Sequence, residues 1–115
     1  MPIKIKRIYE PFAGSDGYRV LVDRLWPRGV KKEDAHIDIW MKEVAPSTEL
    51  RKWYNHEPEK REGFVTKYRA ELAGSTALTD LGALVRQHKT VTLLYASKDE
   101  AYNHAVVLKH FLGAQ

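Results

Sequence analysis

The stretch TVTLLYAS, residues 90–97, does most to decide the fold of this chain. Its residues are almost continuously apolar or β-branched, which is typical of a β-strand. A strand with one face in water alternates apolar and polar side chains, whereas this stretch is apolar on both faces. Burial on both faces is characteristic of a central strand in a parallel sheet. The stretch therefore predicts a parallel sheet covered on its two faces by other elements.

Three earlier segments of the chain add strands to this sheet. Residues 3–10, IKIKRIYE, alternate apolar and basic side chains, the period of a half-exposed strand. Residues 19–25, RVLVDRL, form the next strand, which Pro27 stops. A helical turn at residues 32–35 and a short strand at residues 38–44 follow.

Helical patterns occupy the middle and the end of the chain. Ser47 is a good N-cap residue, and Pro58 suits the first turn of the helix that follows. Apolar residues then recur at helical spacing in two runs, which end at Gly74 and near His88. The last helix is predicted over residues 99–111.

Length, composition and the order of these elements predict a single α/β domain over residues 1–115. The chain has 115 residues, of which 43% are hydrophobic and 30% charged, and this suits one globular domain with its own core. Strands at the start, helices in the middle and a strand–helix pair at the end favour helices packed on a sheet. We expect a mostly parallel sheet of three or four strands with helices on both sides.

The composition excludes several classes of protein and site. The chain has no cysteine, so disulfides, thiolate metal sites and cysteine nucleophiles are ruled out. No apolar run approaches the roughly 20 residues that span a membrane, and the first ten residues lack the apolar core of a signal peptide. The histidines give no converging zinc ligands, and no glycine-rich phosphate or dinucleotide motif is present. We therefore expect a cytoplasmic protein with no metal, cofactor or membrane partner.

Positive charge is concentrated near the beginning of the sequence. The chain has 19 Lys and Arg residues against 15 Asp and Glu residues, a net charge of +4 at pH 7. Residues 1–31 hold seven of these bases and three of the acids, whereas residues 32–115 hold twelve of each. The excess favours an anionic partner near the first strands. It does not by itself indicate nucleic acid, since +4 is ordinary for a soluble domain.

The first candidate site is the turn VDRLWPRG, which follows the second predicted strand. Ligands of open α/β sheets bind beyond the carboxyl ends of the strands, where this turn lies. Arg24 and Arg28 supply guanidinium groups that match phosphate or carboxylate, and Trp26 supplies a stacking wall. The alternative is a purely structural turn, in which Asp23 pairs with one of the arginines and Trp26 packs on an arginine plane.

The second candidate site is the predicted strand-to-helix junction YASKDEAYNHA. Ser97 and Lys98 lie on this junction, where free N–H groups and the helix dipole attract anions. Asn103 and His104 follow one turn into the helix as polar contacts. The alternative is a capping box between Ser97 and Glu100, with Lys98 in solvent.

These candidates favour the binding of an anionic ligand, either a phosphate-bearing metabolite or nucleic acid. The two strand ends should meet at one edge of the sheet and form a cleft. We expect Arg24 and Arg28 to clamp the anion and Lys98 to act as a mobile positive charge. A different class of function is a regulator or interaction protein that binds no small ligand. The residues predict no oligomeric state.

An enzyme acting on a phosphorylated or nucleic-acid substrate is the rival interpretation. His56 or His104 would then serve as the acid or base, and Asp23 would orient it. A histidine within hydrogen-bond reach of a carboxylate inside the cleft would favour this interpretation.

Four long segments of the chain resemble the YeaO-like family, an uncharacterised bacterial group described as domain of unknown function 488. They are VDRLWPRG, IDIWMKEVAPSTELRKWYNHEP, FVTKYRAEL and VTLLYASKDEAYNHAVVLKHFL, and the similarity runs from about Ile3 to Leu112. The resemblance implies a small α/β fold without an established activity. Some members are described as MarR-type transcriptional regulators, but this chain shows no clear helix-turn-helix followed by a β-wing. Glu62 and Gly63 depart from the family pattern, in which a bulky residue is more usual, so we expect unusual packing there.

Overall fold

Four short strands form one parallel sheet in the part of the chain that the structure describes, in the order β1-β4-β2-β3. The strands are β1 (Ile3–Arg7), β2 (Tyr18–Leu21), β3 (Ile39–Trp40) and β4 (Val91–Tyr95). Strand β4 lies between β1 and β2, and all five of its residues are buried. The predicted parallel sheet is confirmed. The structure is a computed structural model that describes residues 3–55, 57–98 and 103–113.

Five α-helices and three 3-10 turns accompany the sheet within those ranges. The helices are α1 (Lys32–Ala35), α2 (Thr48–Tyr54), α3 (Arg61–Ala73), α4 (Ala77–Gln87) and α5 (His104–Gly113), and the 3-10 turns are Gly14–Asp16, Lys42–Val44 and Pro58–Lys60. Ser47 caps α2 as predicted, since its Oγ accepts a hydrogen bond from the Leu50 N–H at 3.0 Å. Helix α3 ends at Gly74 and α4 at His88, also as predicted. No helix in the described ranges combines the length and apolarity that a membrane crossing requires.

Helices lie on both sides of the sheet, but they cover the two faces unequally. The larger face includes Val20 and Leu93, and it packs against apolar residues of α2, α3, α4 and α5. The smaller face includes Leu21 and Leu94, and it is covered by Ala35 of α1 together with loop residues. The difference arises because α2, α3 and α4 all belong to the single connection from β3 to β4.

The strands are shorter than the sequence pattern predicts. Strand β1 ends at Arg7 instead of residue 10, β2 at Leu21 instead of residue 25, and β3 at Trp40 instead of residue 44. Each strand stops where another hydrogen-bonding pattern replaces the sheet. The Glu10 N–H donates to Arg7 O within a tight turn at 3.0 Å. Residues 42–44 coil into a 3-10 turn after β3. Apolar residues continue past the ends of β1 and β3, so the apolar pattern alone could not predict where these two strands end.

Candidate functional site

Strands β2 and β4 separate at their carboxyl ends, between Val22 and Ala96. The Val22 N–H still donates to Leu94 O at 3.0 Å, as in a parallel ladder. The next bond of such a ladder would run from the Ala96 N–H to Val22 O. Instead, the Ala96 N–H donates to Asp23 Oδ2 at 2.9 Å, and His104 Nε2 lies 2.9 Å from Val22 O. Two side chains therefore satisfy the backbone groups that the separating strands leave open.

Asp23 and His104 also contact each other at this point. His104 Nε2 lies 3.0 Å from Asp23 Oδ1, and 15% of each side chain is exposed. Because Nε2 faces two oxygen atoms, we assign it as a donor toward them. Trp40 Nε1 donates to Asp23 O at 2.6 Å and fixes the backbone beneath the pair. The sequence analysis names Asp23 as the group that would orient His56 or His104 in an enzyme, and a catalytic role for Asp23 and His104 stays a prediction.

Arg24 and Trp26 are hydrogen-bonded to neighbouring backbone carbonyls. Arg24 Nη2 donates to Ala45 O at 2.9 Å, and its Nε donates to Pro46 O at 3.3 Å. Trp26 Nε1 donates to Val30 O at 2.7 Å. These two bonds use the Nε–H and one Nη2–H of the five N–H donors of the guanidinium. The roles of Arg24 as an anion clamp and of Trp26 as a stacking wall stay predictions.

Arg28 and Lys98 are exposed cations at the same edge of the sheet. Neither side chain forms a hydrogen bond or an ion pair within the described residues. Arg28 sits between Pro27, which is buried, and Gly29, whose φ of 79° lies in the left-handed region that favours glycine. The turn therefore holds the Arg28 backbone in a defined position.

Arg7 and Tyr9 bind the backbone of the two segments that carry these cations, and the sequence analysis did not single them out. The Tyr9 hydroxyl donates to Arg28 O at 2.9 Å. The Arg7 guanidinium lies over the Tyr9 ring, 5.0 Å from its centroid. Arg7 Nε donates to Ser97 O at 2.8 Å, and Nη2 donates to Ala96 O at 3.2 Å. The turn after β2 and the segment after β4 are thereby held against one cation–aromatic pair.

We call the group formed by Arg7, Tyr9, Arg28 and Lys98 the Tyr9 surface. It contains three cations and a tyrosine whose exposed fraction is 46%. Glu10 is an acid close to it, because Glu10 Oε2 accepts a hydrogen bond from the Arg7 backbone N–H at 2.9 Å. The sequence signal that could have identified this surface is an aromatic residue directly after a strand that contains basic residues.

The remaining predicted site residues lie beside this surface or outside the described ranges. Asn103 Oδ1 accepts a hydrogen bond from the Val106 N–H at 3.0 Å, so its side chain satisfies the first turn of α5. Ser97 contributes its carbonyl to Arg7. His56 and Glu100, and the predicted start of the last helix at residue 99, lie outside the described residues. Ligand contact by Ser97, Asn103 and His104 stays a prediction, as does acid–base chemistry at His56.

A second concave surface lies at the opposite edge of the sheet, near the amino ends of β2 and β4. It encloses about 370 Å³ and includes Gly17, Tyr18, His88 and Lys89 in its lining. The rings of Tyr18 and His88 stack there with centroids 3.8 Å apart. The sequence analysis named no residue of this surface as a site.

Comparison with known proteins identifies the family of the chain. Residues 2–115 match a family profile described as "Inactive DUF488-N3 subclade". The chain is 47% identical to the uncharacterised protein YeaO of Escherichia coli over 112 residues, 97% of each chain. It is 43% identical to the uncharacterised protein Rv3073c of Mycobacterium tuberculosis over 113 residues, 98% of this chain and 95% of the relative. No solved structure matches the chain. The chain therefore belongs to the YeaO-like family of DUF488 proteins, as its four long segments predict.

Proposed function

We propose that this protein binds a phosphate-bearing anion at the Tyr9 surface. The observation that carries the proposal is the position of Arg28 and Lys98, two exposed cations without an ion-pair partner among the described residues. They flank the Arg7–Tyr9 pair at the carboxyl edge of a parallel sheet. Open parallel sheets bind their ligands at this edge.

Arg28 and Lys98 would contact the phosphate in different ways. Arg28 has a planar guanidinium that can meet two phosphate oxygens at once, and its stiff turn aims it. Lys98 supplies a point charge on a flexible stem. Arg24 is less exposed than Arg28 and is already bonded to Ala45 O and Pro46 O, so we rank it below Arg28 as an anion contact.

Catalysis by Asp23 and His104 is a second candidate function, because the 3.0 Å contact between them is one that acid–base sites use. Two observations rank it lower. Both side chains already satisfy backbone groups that β2 and β4 leave open, which is a structural role. The family profile that matches the chain is described as inactive. We therefore propose a binding protein rather than an enzyme.

The proposal is tested by titrating pyrophosphate into the protein at low salt in an isothermal calorimeter. Arg28→Gln and Lys98→Gln should each weaken binding about fivefold or more, roughly 1 kcal/mol, because each removes a charged hydrogen-bond donor. Arg28→Lys should fall between wild type and Arg28→Gln, since it keeps the charge but loses the two-point contact. The matched control is Lys52→Gln, which removes one exposed charge from α2.

Thermal unfolding of the same variants separates binding from folding. The side chains of Arg28 and Lys98 have no hydrogen-bond or ion-pair partner among the described residues, so their substitutions should leave the melting temperature almost unchanged. Equal weakening by Lys52→Gln, or no measurable binding by the wild-type protein, would contradict the proposal.

A further inference from the structure

We infer that the ligand of the Tyr9 surface is a nucleotide, with its base stacked on the Tyr9 ring and its phosphates near Arg28 and Lys98. This inference rests on the proposed anion-binding function and adds the chemical class of the ligand. The inference depends on the exposure of the Tyr9 ring and on the contacts that fix its position.

The Tyr9 ring is fixed at its tip and on one face. Its hydroxyl donates to Arg28 O at 2.9 Å, and the Arg7 guanidinium lies 5.0 Å from the ring centroid. Arg7 is itself fixed by hydrogen bonds to Ser97 O and Ala96 O. Tyr9 remains 46% exposed despite these contacts, and we take its exposed part to include the ring face opposite Arg7. A ring held in this way loses little conformational freedom when a planar group stacks on it.

The other exposed rings of the described chain do not offer the same platform. Phe12 is 51% exposed, but His36 stacks on it with centroids 4.2 Å apart and the Arg19 guanidinium lies 5.2 Å from its centroid. The exposed Trp53 indole has the ammonium groups of both Lys60 and Lys67 within 5.1 Å of its ring centroid. Tyr9 therefore combines an open aromatic face with neighbouring unpaired cations.

A nucleotide uses both features of this surface, whereas simpler anions use one. Stacking of a base on an aromatic side chain contributes favourably to binding and tolerates any base. The Tyr9 hydroxyl touches the Arg28 backbone, so the Arg28 side chain begins within one ring length of a stacked base. A phosphate attached to that base through its ribose is then within reach of the cations. A sugar phosphate or pyrophosphate would leave the open face of Tyr9 unused.

Calorimetric titrations of adenosine diphosphate and pyrophosphate into the full chain test this inference. The wild-type protein should bind adenosine diphosphate about tenfold more tightly than pyrophosphate, because the base adds stacking. Tyr9→Leu should weaken adenosine diphosphate binding more than pyrophosphate binding and so abolish this difference. Tyr9→Phe, which keeps the ring but loses the hydroxyl, should retain most of the difference. Phe12→Leu removes an exposed ring elsewhere and should change neither affinity.

The outcomes separate this inference from the proposed function. Equal affinity for the two ligands, with pyrophosphate still sensitive to Arg28→Gln, would overturn the nucleotide and leave the anion-binding function intact. Absence of binding for both ligands would overturn both. If Tyr9→Leu weakens both ligands equally, Tyr9 acts by holding the Arg28 backbone, and the stacking role is wrong.

Discussion

Three polar side chains at the carboxyl edge of the sheet form hydrogen bonds with backbone groups that have no partner within a strand or helix. Asp23 accepts the hydrogen bond of the Ala96 N–H, and Arg24 donates to Ala45 O and Pro46 O. His104 Nε2 faces Val22 O in the same way. Because a buried backbone group without a partner destabilises the folded state, these contacts have a stability role independent of any ligand.

We predict that His104→Ala lowers the free energy of unfolding by about 1–3 kcal/mol, since it leaves Val22 O without its partner. His104→Gln should lose less, because its amide can still donate. Urea unfolding curves of the three proteins measure this directly. A His104→Ala protein as stable as the wild type would show that the contact is not structural and would strengthen the catalytic interpretation.

Asp16 is a second buried acid, on the smaller face of the sheet. It is 3% exposed, and it forms ion pairs with Lys6 at 2.8 Å and with Arg19, which is 2% exposed. The Ala13 N–H also donates to it, at 3.1 Å. Burial acts to raise the pKa of Asp16, but the hydrogen bonds from Lys6, Ala13 and Arg19 outweigh it and hold the pKa below its ordinary value.

The lowered pKa of Asp16 predicts a loss of stability in acid. The folded state keeps this carboxylate ionised at a pH where the unfolded chain binds the proton. Its contribution is therefore fully present above the unfolded value of about 3.9 and is lost as the pH falls through the folded pKa. Asp16→Asn should cost about 3 kcal/mol or more at neutral pH, because Arg19 loses its buried partner.

Urea unfolding at neutral pH and below pH 3.9 measures this contribution. The stability difference between wild type and Asp16→Asn should narrow in acid, where the wild-type carboxyl group also becomes neutral. Asp34→Asn, at an exposed acid of α1, should change stability by no more than about 0.5 kcal/mol at neutral pH. A difference of the same size at both pH values would be inconsistent with the lowered pKa.

At the scale of elements, the packing of α2 against α3 explains the unusual Gly63. Glycine in the middle of a helix costs about 1 kcal/mol relative to alanine. A Cβ at this position would lie 2.7 Å from Cη2 of the Trp53 indole, which is closer than two carbon atoms can approach. Gly63 therefore lowers the helix propensity of α3 but leaves space for the Trp53 indole. Gly63 is one of the two residues that the sequence analysis describes as departing from the family pattern.

This packing predicts that the effects of Gly63→Ala and Trp53→Ala are coupled. In the wild-type background, Gly63→Ala should give none of its usual stabilisation, because the indole must shift. In the Trp53→Ala background, the same substitution should stabilise the protein by about 0.5–1 kcal/mol. A double-mutant cycle in urea measures the coupling, and the same effect in both backgrounds would contradict the contact.

The start of α2 and the end of α3 proved easier to predict than the strand ends, although α5 begins at His104 and not one turn before Asn103. Ser47 and Gly74 mark α2 and α3 through local chemistry, which a sequence displays directly. Strand β2 ends because the Asp23 and His104 side chains take over its next hydrogen bond, and His104 is 82 positions from Val22 in sequence. No pattern within the strand itself carries that information.

At the scale of the whole molecule, the fold engages several basic side chains of residues 1–31 in internal contacts. Asp16 pairs with Lys6 and Arg19, and the Arg24 guanidinium is used by two carbonyls. Arg28 is left exposed at the carboxyl edge of the sheet. The small net charge is therefore not spread evenly over the surface, and part of it lies where an α/β sheet binds ligands.

The sequence located this edge but not the arrangement of side chains on it. The apolar pattern of residues 90–97 and the turn after β2 indicate two neighbouring strand ends, which the structure brings together through Asp23. Tyr9 was missed because its importance depends on contacts with Arg28 and, through Arg7, with Ser97. Those contacts join three segments that are far apart in the chain.

The most direct test of anion binding at the Tyr9 surface is a titration of ¹⁵N-labelled protein with pyrophosphate, followed by amide chemical shifts. We predict that the largest changes map to the amides of Tyr9, Arg28 and Lys98 at the carboxyl edge, with little change at Gly17 and Lys89 at the amino edge. Changes that centre on Gly17 and Lys89, or no changes at all, would contradict the account.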